Sequence, residues 1–106
     1  MTADFKGSDV GGTWYWNKYP GAGCDVPSHL YSFSWKLKAD WSKAYSLGDE
    51  IQNYLVDCWK FARLVDHTKF NTEVTKAVWD KNQKKWSLTL KTGDKEEVVF
   101  YNWFIR

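Results

Sequence analysis

The sequence has few cysteines and no cluster of metal-ligating residues. Its two cysteines, Cys24 and Cys58, are far apart and belong to no CxxC motif or cysteine–histidine group. This spacing argues against a zinc site and against a disulfide framework. We therefore expect no bound metal, and we expect the reduced thiols of a cytoplasmic protein.

The sequence also lacks a long apolar run and an excess of charge of one sign. No stretch is long enough to span a bilayer, and residues 1–6 do not resemble a signal peptide. The 15 basic and 13 acidic residues give a formal net charge of +2 and are spread along the chain. These absences predict a protein that has neither a membrane nor a nucleic acid as its partner.

Aromatic residues are abundant instead. Trp, Tyr and Phe make up 19% of the chain, and 8 of its residues are Trp. A chain of 106 residues forms one small domain at most, so it cannot bury all of these rings. Some of them should face a flat ligand or a partner.

Three zones follow one another along the chain. Residues 1–46 are predicted to form an ordered, functional loop. Glycines and prolines interrupt this stretch too often for a long helix or strand, and its many aromatics indicate order. Residues 47–66 predict a helix, with Ser46 and Asp49 as an N-cap pair. Its apolar stripe comprises Ile51, Tyr54, Leu55, Cys58, Phe61, Ala62 and Val65.

Residues 68–106 predict a β-meander. Trp86, Leu88 and Leu90 alternate with polar residues, which indicates a half-buried strand between turns at 81–83 and 92–94. Flanking strands are expected at about 69–79 and 96–105. The apolar run at 103–106 ends abruptly, which fits an ordinary terminal strand and a chain that continues in a longer protein equally well.

The segment 11–25 holds the residues best suited to binding chemistry. Gly11 and Gly12 would let the backbone approach a ligand closely, and Thr13 offers a hydroxyl and a backbone N–H. Trp14 and Trp16 offer flat faces for an aromatic cofactor. A tight turn at Pro20-Gly21 would direct the carboxylate of Asp25 back towards the same place. Taken alone, the pattern also fits a glycine-rich turn with tryptophans in the core.

The order of these residues resembles the GGTWYWNRYPG…CD block of Baeyer–Villiger monooxygenases, within the wider flavin-containing monooxygenase group. The resemblance continues through Val26-Pro27-Ser28-His29-Leu30-Tyr31-Ser32-Phe33-Ser34 and, less specifically, through the helix and residues 70–75. Nearly the whole chain is therefore similar to one internal piece of that family. The resemblance implies an α/β fold, as a fragment of a Rossmann-like FAD/NAD(P)-binding domain.

The resemblance further implies the cofactors FAD and NADPH. It implies insertion of one oxygen atom from O2 into a small ketone or aldehyde, or its transfer to a heteroatom. Asp25 would be catalytic, lying beside the flavin and pairing with an arginine, and Val74 would place its backbone at the adenine end of FAD. The other residues on the cofactors would be Thr13, Trp14, Tyr15, Trp16 and Tyr31 for FAD, and Gly23 and Cys24 for NADP.

The chain departs from the family in several parts. Both GxGxxG fingerprints are absent, and no segment matches the catalytic arginine. The residue at the position of the acid that binds the FAD ribose is Phe5, and Lys18 replaces the usual arginine. Because the pyrophosphate of FAD needs the missing glycine loop and helix N-terminus, we expect the isolated chain to lose FAD and to be inactive.

An alternative reading is a non-catalytic binding module whose aromatic loop meets a partner protein or a flat ligand. Single-stranded nucleic acid is disfavoured as that ligand, because the sequence has no basic stripe.

Overall fold

The computed structural model describes residues 3–105, which form two compact units. Residues 9–66 form a loop–helix unit, and residues 3–8 with 67–105 form a sheet unit. Each unit is described by itself.

The loop–helix unit contains a helical turn, α1 (Thr13–Trp16), a 3-10 turn at Ser28–Leu30 and a single long helix, α2 (Gly48–Phe61). A second 3-10 turn follows at Val65–His67. Ile51, Tyr54 and Cys58 on α2 are buried, at the spacing of three and four residues that lines one face of a helix. The predicted stripe was too wide, because Phe61, Ala62 and Val65 are exposed.

The N-cap predicted for α2 was wrong. Leu47 occupies the cap position, and no side chain caps the helix. The hydroxyl of Ser46 is buried and hydrogen-bonded to that of Ser28 at 2.7 Å. A long-range contact therefore replaces the local one that the sequence pattern predicted.

The predicted end of the helix at residue 66 was also wrong, because the chain turns after Phe61. Arg63 has φ of 55°, and its N–H donates to the carbonyl of Lys60 at 3.0 Å. The N–H of Leu64 donates to the carbonyl of Trp59 at 3.1 Å. This pair of bonds around a left-handed residue is a Schellman motif, which closes the last turn and stops the helix.

The sheet unit contains two short strands and a meander. β1 (Ala3–Asp4) pairs in parallel with β2 (Thr68–Lys69). β3 (Thr72–Asp80), β4 (Lys85–Thr92) and β5 (Lys95–Tyr101) form an antiparallel sheet in the order β3-β4-β5. Leu88 and Leu90 on the central strand are buried, as their alternation predicted.

Both predicted turns are present in the meander. The carboxylate of Asp80 accepts from the backbone N–H groups of Asn82 and Gln83 in the first turn, and Gly93 has φ of 60° in the second. β5 ends at Tyr101, four residues before the predicted end. Its pairing partner there is Trp86, and β4 begins at Lys85, so β4 has only one further residue with which β5 could pair. The one long helix and the antiparallel sheet confirm the α/β fold class.

Candidate functional site

Gly11 and Gly12 lead into α1, and each has a different reason to be glycine. An ideal Cβ on Gly11, at φ of 135°, would lie 3.0 Å from Cγ of Gln52. Gly12 has φ of 52° and ψ of −118°, and a Cβ there would meet nothing within 4 Å. Gly11 therefore allows close packing against α2, and only Gly12 leaves the open space for a ligand that the sequence suggested for both.

Trp14 and Tyr31 are in direct contact. The indole N–H of Trp14 donates to the hydroxyl of Tyr31 at 3.2 Å, and the rings meet edge to face with centroids 6.0 Å apart. The other side of the indole covers Gly48, where an added Cβ would lie 3.3 Å from Cε3 of Trp14. The tertiary structure thus joins two residues that the resemblance assigns to one cofactor.

The other residues of α1 present aromatic and polar groups outward. Tyr15 and Trp16 meet edge to face, with ring centroids 4.8 Å apart. Trp16 is 61% exposed, and Thr13 is exposed at the start of the turn. α1 therefore carries an open aromatic face beside the fixed indole of Trp14.

The chain then turns at Pro20-Gly21 as predicted. The N–H of Ala22 donates to the carbonyl of Tyr19 at 3.1 Å, and Gly21 has φ of 82°, the pattern of a type II turn. Gly23 follows and forms a bridge with Leu47.

The positions after the turn have structural roles of their own. A Cβ on Gly23 would lie 3.1 Å from the carbonyl oxygen of Ser46, so the packing here is tight and favours glycine. The N–H of Cys24 donates to that same carbonyl at 3.0 Å, and its half-buried sulfur, which forms no disulfide, accepts from the N–H of Val26 at 3.4 Å. Asp25 is exposed, and no contact joins its carboxylate to Thr13, Trp14, Trp16 or Tyr31 among the described side chains.

The segment that carries Tyr31 is anchored on both sides. On one side, the buried hydroxyl of Ser28 lies 2.7 Å from the carbonyl oxygen of Lys43. On the other, the hydroxyl of Tyr54 accepts from the N–H of Phe33 at 2.7 Å and donates to the carbonyl of Lys36 at 2.8 Å. Burial, and then a hydrogen bond with the Cys58 thiol, raise the pKa of Tyr54, so its proton is held. The sequence indicated Tyr54 only as a core residue.

An apolar pocket of about 290 Å³ opens beside Tyr31. Its lining residues are Leu30, Tyr31, Ser32, Phe33, Tyr54 and Leu55. Val74, the remaining candidate, lies half-buried in β3 of the sheet unit, directly before a bulge between Val74 and Lys76.

Within residues 3–105, no group of three or more His, Cys, Asp or Glu residues is arranged to hold a metal ion. In the same part of the chain, no helix is both long and apolar enough to cross a bilayer.

The loop–helix unit offers aromatic rings that a flat ligand could contact, and the sequence offers no glycine turn for a diphosphate. Gly12 leaves space at the backbone, and Trp14, Trp16 and Tyr31 supply fixed and exposed rings. The 106 residues contain no GxGxxG turn to surround a pyrophosphate.

The sequence is similar to curated monooxygenases, although no model of a protein family matches it. It is 46% identical over 83 residues to a Baeyer-Villiger monooxygenase of Pseudomonas aeruginosa, covering 78% of this chain and 16% of that protein. It is 41% identical over 86 residues to an FAD-binding monooxygenase of Emericella nidulans, covering 81% of this chain and 14% of that protein. The chain therefore spans only 14–16% of the length of these relatives.

Solved structures show the same relationship. An open crystal structure of cyclohexanone monooxygenase superposes with a TM-score of 0.84 at 40% identity, over 95% of this chain and 20% of that one. An oxidized steroid monooxygenase bound to NADP superposes with a TM-score of 0.84 at 37% identity, over 93% of this chain and 19% of that one.

Proposed function

Because the chain is homologous to one segment of the Baeyer–Villiger monooxygenases, we propose that it forms part of an FAD- and NADPH-dependent monooxygenase. The reaction would insert one oxygen atom from O2 into a carbonyl compound or transfer it to a heteroatom. The contact between Trp14 and Tyr31 carries the proposal, because it joins two residues assigned to FAD. The relatives are several times longer than this chain, so we propose that the chain alone is inactive.

Thr13, Trp14, Tyr15, Trp16 and Tyr31 form the FAD side in this proposal. FAD supplies the redox and oxygen chemistry when it is bound, and the protein positions it. The indole of Trp14, fixed between Gly48 and Tyr31, would orient the flavin ring, and the exposed face of Trp16 would exclude water from it.

Gly23 and Cys24 form the NADP side in this proposal, and Asp25 follows them beside the flavin. The bridge to Leu47 fixes the backbone at Gly23. Cys24 and Asp25 therefore follow a backbone position that is held in place. The exposed carboxylate of Asp25 can accept a hydrogen bond or orient a cationic side chain, and we assign it the catalytic role of pairing with an arginine from outside this chain.

The remaining assignments concern the sheet unit, the substrate and the location. We assign the backbone of Val74 to the adenine end of FAD. The substrate would be a small ketone, an aldehyde or a compound with an oxidisable heteroatom, and its pocket would come largely from outside this chain. The free thiols of Cys24 and Cys58 support a cytoplasmic location.

The test is a titration of the purified chain with FMN, followed by quenching of tryptophan fluorescence. We expect a Kd of about 0.1–1 mM, or about −4 to −5.5 kcal/mol, because the ring finds aromatic partners but the phosphate has no glycine loop. Tyr31→Ala should weaken binding about fivefold or more, since a stacking ring contributes about 1–3 kcal/mol. The matched control is Tyr45→Ala, which removes another exposed tyrosine of the same unit.

Equal weakening by the two variants, or no saturable quenching, would refute the proposal. The chain as purified should also show no stoichiometric flavin absorbance, because it lacks the phosphate site.

A second candidate function, a non-catalytic binding module, is supported by an exposed stack of Phe33, Trp35 and Phe61. The centroid distances along the stack are 5.0 Å and 6.2 Å, with interplanar angles of 13° and 16°. All three rings are exposed, and Nζ of Lys36 lies 5.2 Å from the Phe61 centroid. If Trp35→Ala abolishes FMN quenching while Tyr31→Ala leaves it intact, this second function is favoured.

A further inference from the structure

One side chain of α2 touches both ends of the stretch that contains Gly11, Gly12 and α1. We call residues 10–18 the aromatic segment. Gln52 donates from Nε2 to the carbonyl of Val10 at 3.2 Å and accepts at Oε1 from Nζ of Lys18 at 2.6 Å. A single amide therefore closes the aromatic segment at its first and last residues.

The bond to Val10 lies on the protected side of this contact. Val10 is 4% exposed, so its carbonyl acceptor is held at a fixed place in the loop–helix unit. Cγ of Gln52 also lies 3.0 Å from the position of a Cβ on Gly11, which means that the chain passes directly over the Gln52 side chain. The lack of a side chain at Gly11 thus leaves room for Gln52, and the two residues together set the path of the backbone into α1.

The bond from Lys18 lies on the solvent side. Nζ of Lys18 also pairs with the carboxylate of Asp49 at 2.8 Å, but the two side chains are 48% and 84% exposed. An exposed ion pair contributes little to stability. The amide of Gln52 is the better-fixed of the two anchors that Lys18 finds on α2, because its other end is held by the part-buried bond to Val10.

We propose that Gln52 is a positioning residue that fixes the aromatic segment and thereby holds the indole of Trp14 against Tyr31. Its relevance to cofactor binding rests on the proposed function, because Trp14 and Tyr31 are the residues assigned to FAD. Gln52 acts through the backbone of the segment, because its hydrogen bonds go to Val10 and Lys18 and not to these two rings.

The primary test uses the full chain without flavin. Gln52→Met keeps the length of the side chain and removes both hydrogen bonds. We expect amide hydrogen exchange at residues 14–17 to become about tenfold faster, because local opening of the segment becomes easier, while exchange in the second half of α2 stays unchanged. Asn53→Met, at the next and exposed position of the same helix, is the matched control and should change neither region.

A spectroscopic signature separates positioning from a general packing role. The indole N–H resonance of Trp14 reports its bond to Tyr31, and Tyr31→Phe defines its position when that bond is absent. Gln52→Met should move the resonance towards that position. Gln52→Glu keeps an acceptor for Lys18 but loses the donor to Val10, so exchange at residues 14–17 should remain faster than in the unsubstituted chain.

Two results would overturn the positioning role: unchanged exchange at residues 14–17 in Gln52→Met, or an unmoved Trp14 resonance in a variant that remains folded. If Gln52→Met does not fold, Gln52→Glu and Lys18→Met each remove one end of the contact and decide the same question. Failure of the FMN titration with the unsubstituted chain would refute the proposed function and leave the exchange result standing.

Discussion

The indole N–H of Trp14 donates to the hydroxyl of Tyr31 at 3.2 Å, across 17 residues of chain. The aromatic segment and the segment after the Pro20-Gly21 turn are therefore locked together by side chains. Each ring restricts the rotamers of the other, so the edge-to-face pair offers a rigid surface. This rigidity lowers the entropy that a flat ligand would lose on binding.

Tyr31→Phe should keep the ring contact and remove only the acceptor. We expect a loss of about 0.5–1 kcal/mol in the free energy of unfolding, because the bond is exposed and water can replace it. Urea denaturation measures the change, with Tyr19→Phe as the control, since its hydroxyl is exposed. An identical loss in both variants would contradict the assigned bond.

Tyr54→Phe should be more costly, because the hydroxyl lies within the fold and serves two backbone groups. Without it, the N–H of Phe33 and the carbonyl of Lys36 lose their partner in a part-buried place. We expect a loss of about 1–3 kcal/mol in the same urea measurement. Tyr45→Phe, at an exposed tyrosine, should change stability by less than about 0.5 kcal/mol.

Gly11→Ala should destabilise the chain more than Gly12→Ala. Both glycines have positive φ, so an alanine at either position is strained by about 1–3 kcal/mol. Only at Gly11 does the new methyl also meet a neighbour, at 3.0 Å from Cγ of Gln52. Thermal unfolding of the two variants gives the comparison, and a larger loss for Gly12→Ala would contradict the packing of Gly11 on Gln52.

Glu50 should make stability depend on acid pH. Hydrogen bonds from the hydroxyl and then the N–H of Ser42 hold the pKa of Glu50 below its ordinary value of 4.5. The folded state therefore favours the carboxylate, so this stabilisation is present above pH 4.5 and is lost as pH falls through the lowered pKa.

Glu50→Gln should remove that part of the pH dependence. The stability difference between the unsubstituted chain and the variant should be constant near neutral pH and shrink below pH 4.5. Urea denaturation at a series of pH values measures it. Asp57→Asn controls for the loss of an exposed carboxylate on the same helix, and parallel profiles for the two variants would contradict the role of Ser42.

Arg63→Gly should stabilise the chain slightly. A left-handed residue with a Cβ costs about 1–2 kcal/mol, while the extra freedom of glycine in the unfolded chain costs about 0.5–1 kcal/mol. The difference between these two costs predicts that the free energy of unfolding rises by about 0.5 kcal/mol, because Arg63 has φ of 55°. Lys60→Gly, within α2, should instead lose about 1 kcal/mol. A clear loss in Arg63→Gly would contradict the strain assigned to the left-handed conformation of Arg63.

The sequence by itself indicated the long helix, the central strand and the similarity to monooxygenases. The spacing of Ile51, Tyr54 and Cys58 indicated the buried face of α2, and the alternation around Leu88 and Leu90 indicated the central strand. These patterns are local, because they follow from the periods of a helix and a strand. The ordered match along residues 11–34 indicated the family, since no tertiary contact is needed to read it.

Only the tertiary structure decided which residues meet. Ser46 was expected to cap α2 and bonds to Ser28 instead, and Gln52, a polar residue with no motif around it, closes the aromatic segment across 42 positions. Trp14 and Tyr31 form a pair only because the Pro20-Gly21 turn and the bridge at Gly23 bring their segments together. Such contacts depend on how an irregular loop folds back on a helix, and no periodic pattern in the sequence encodes that path.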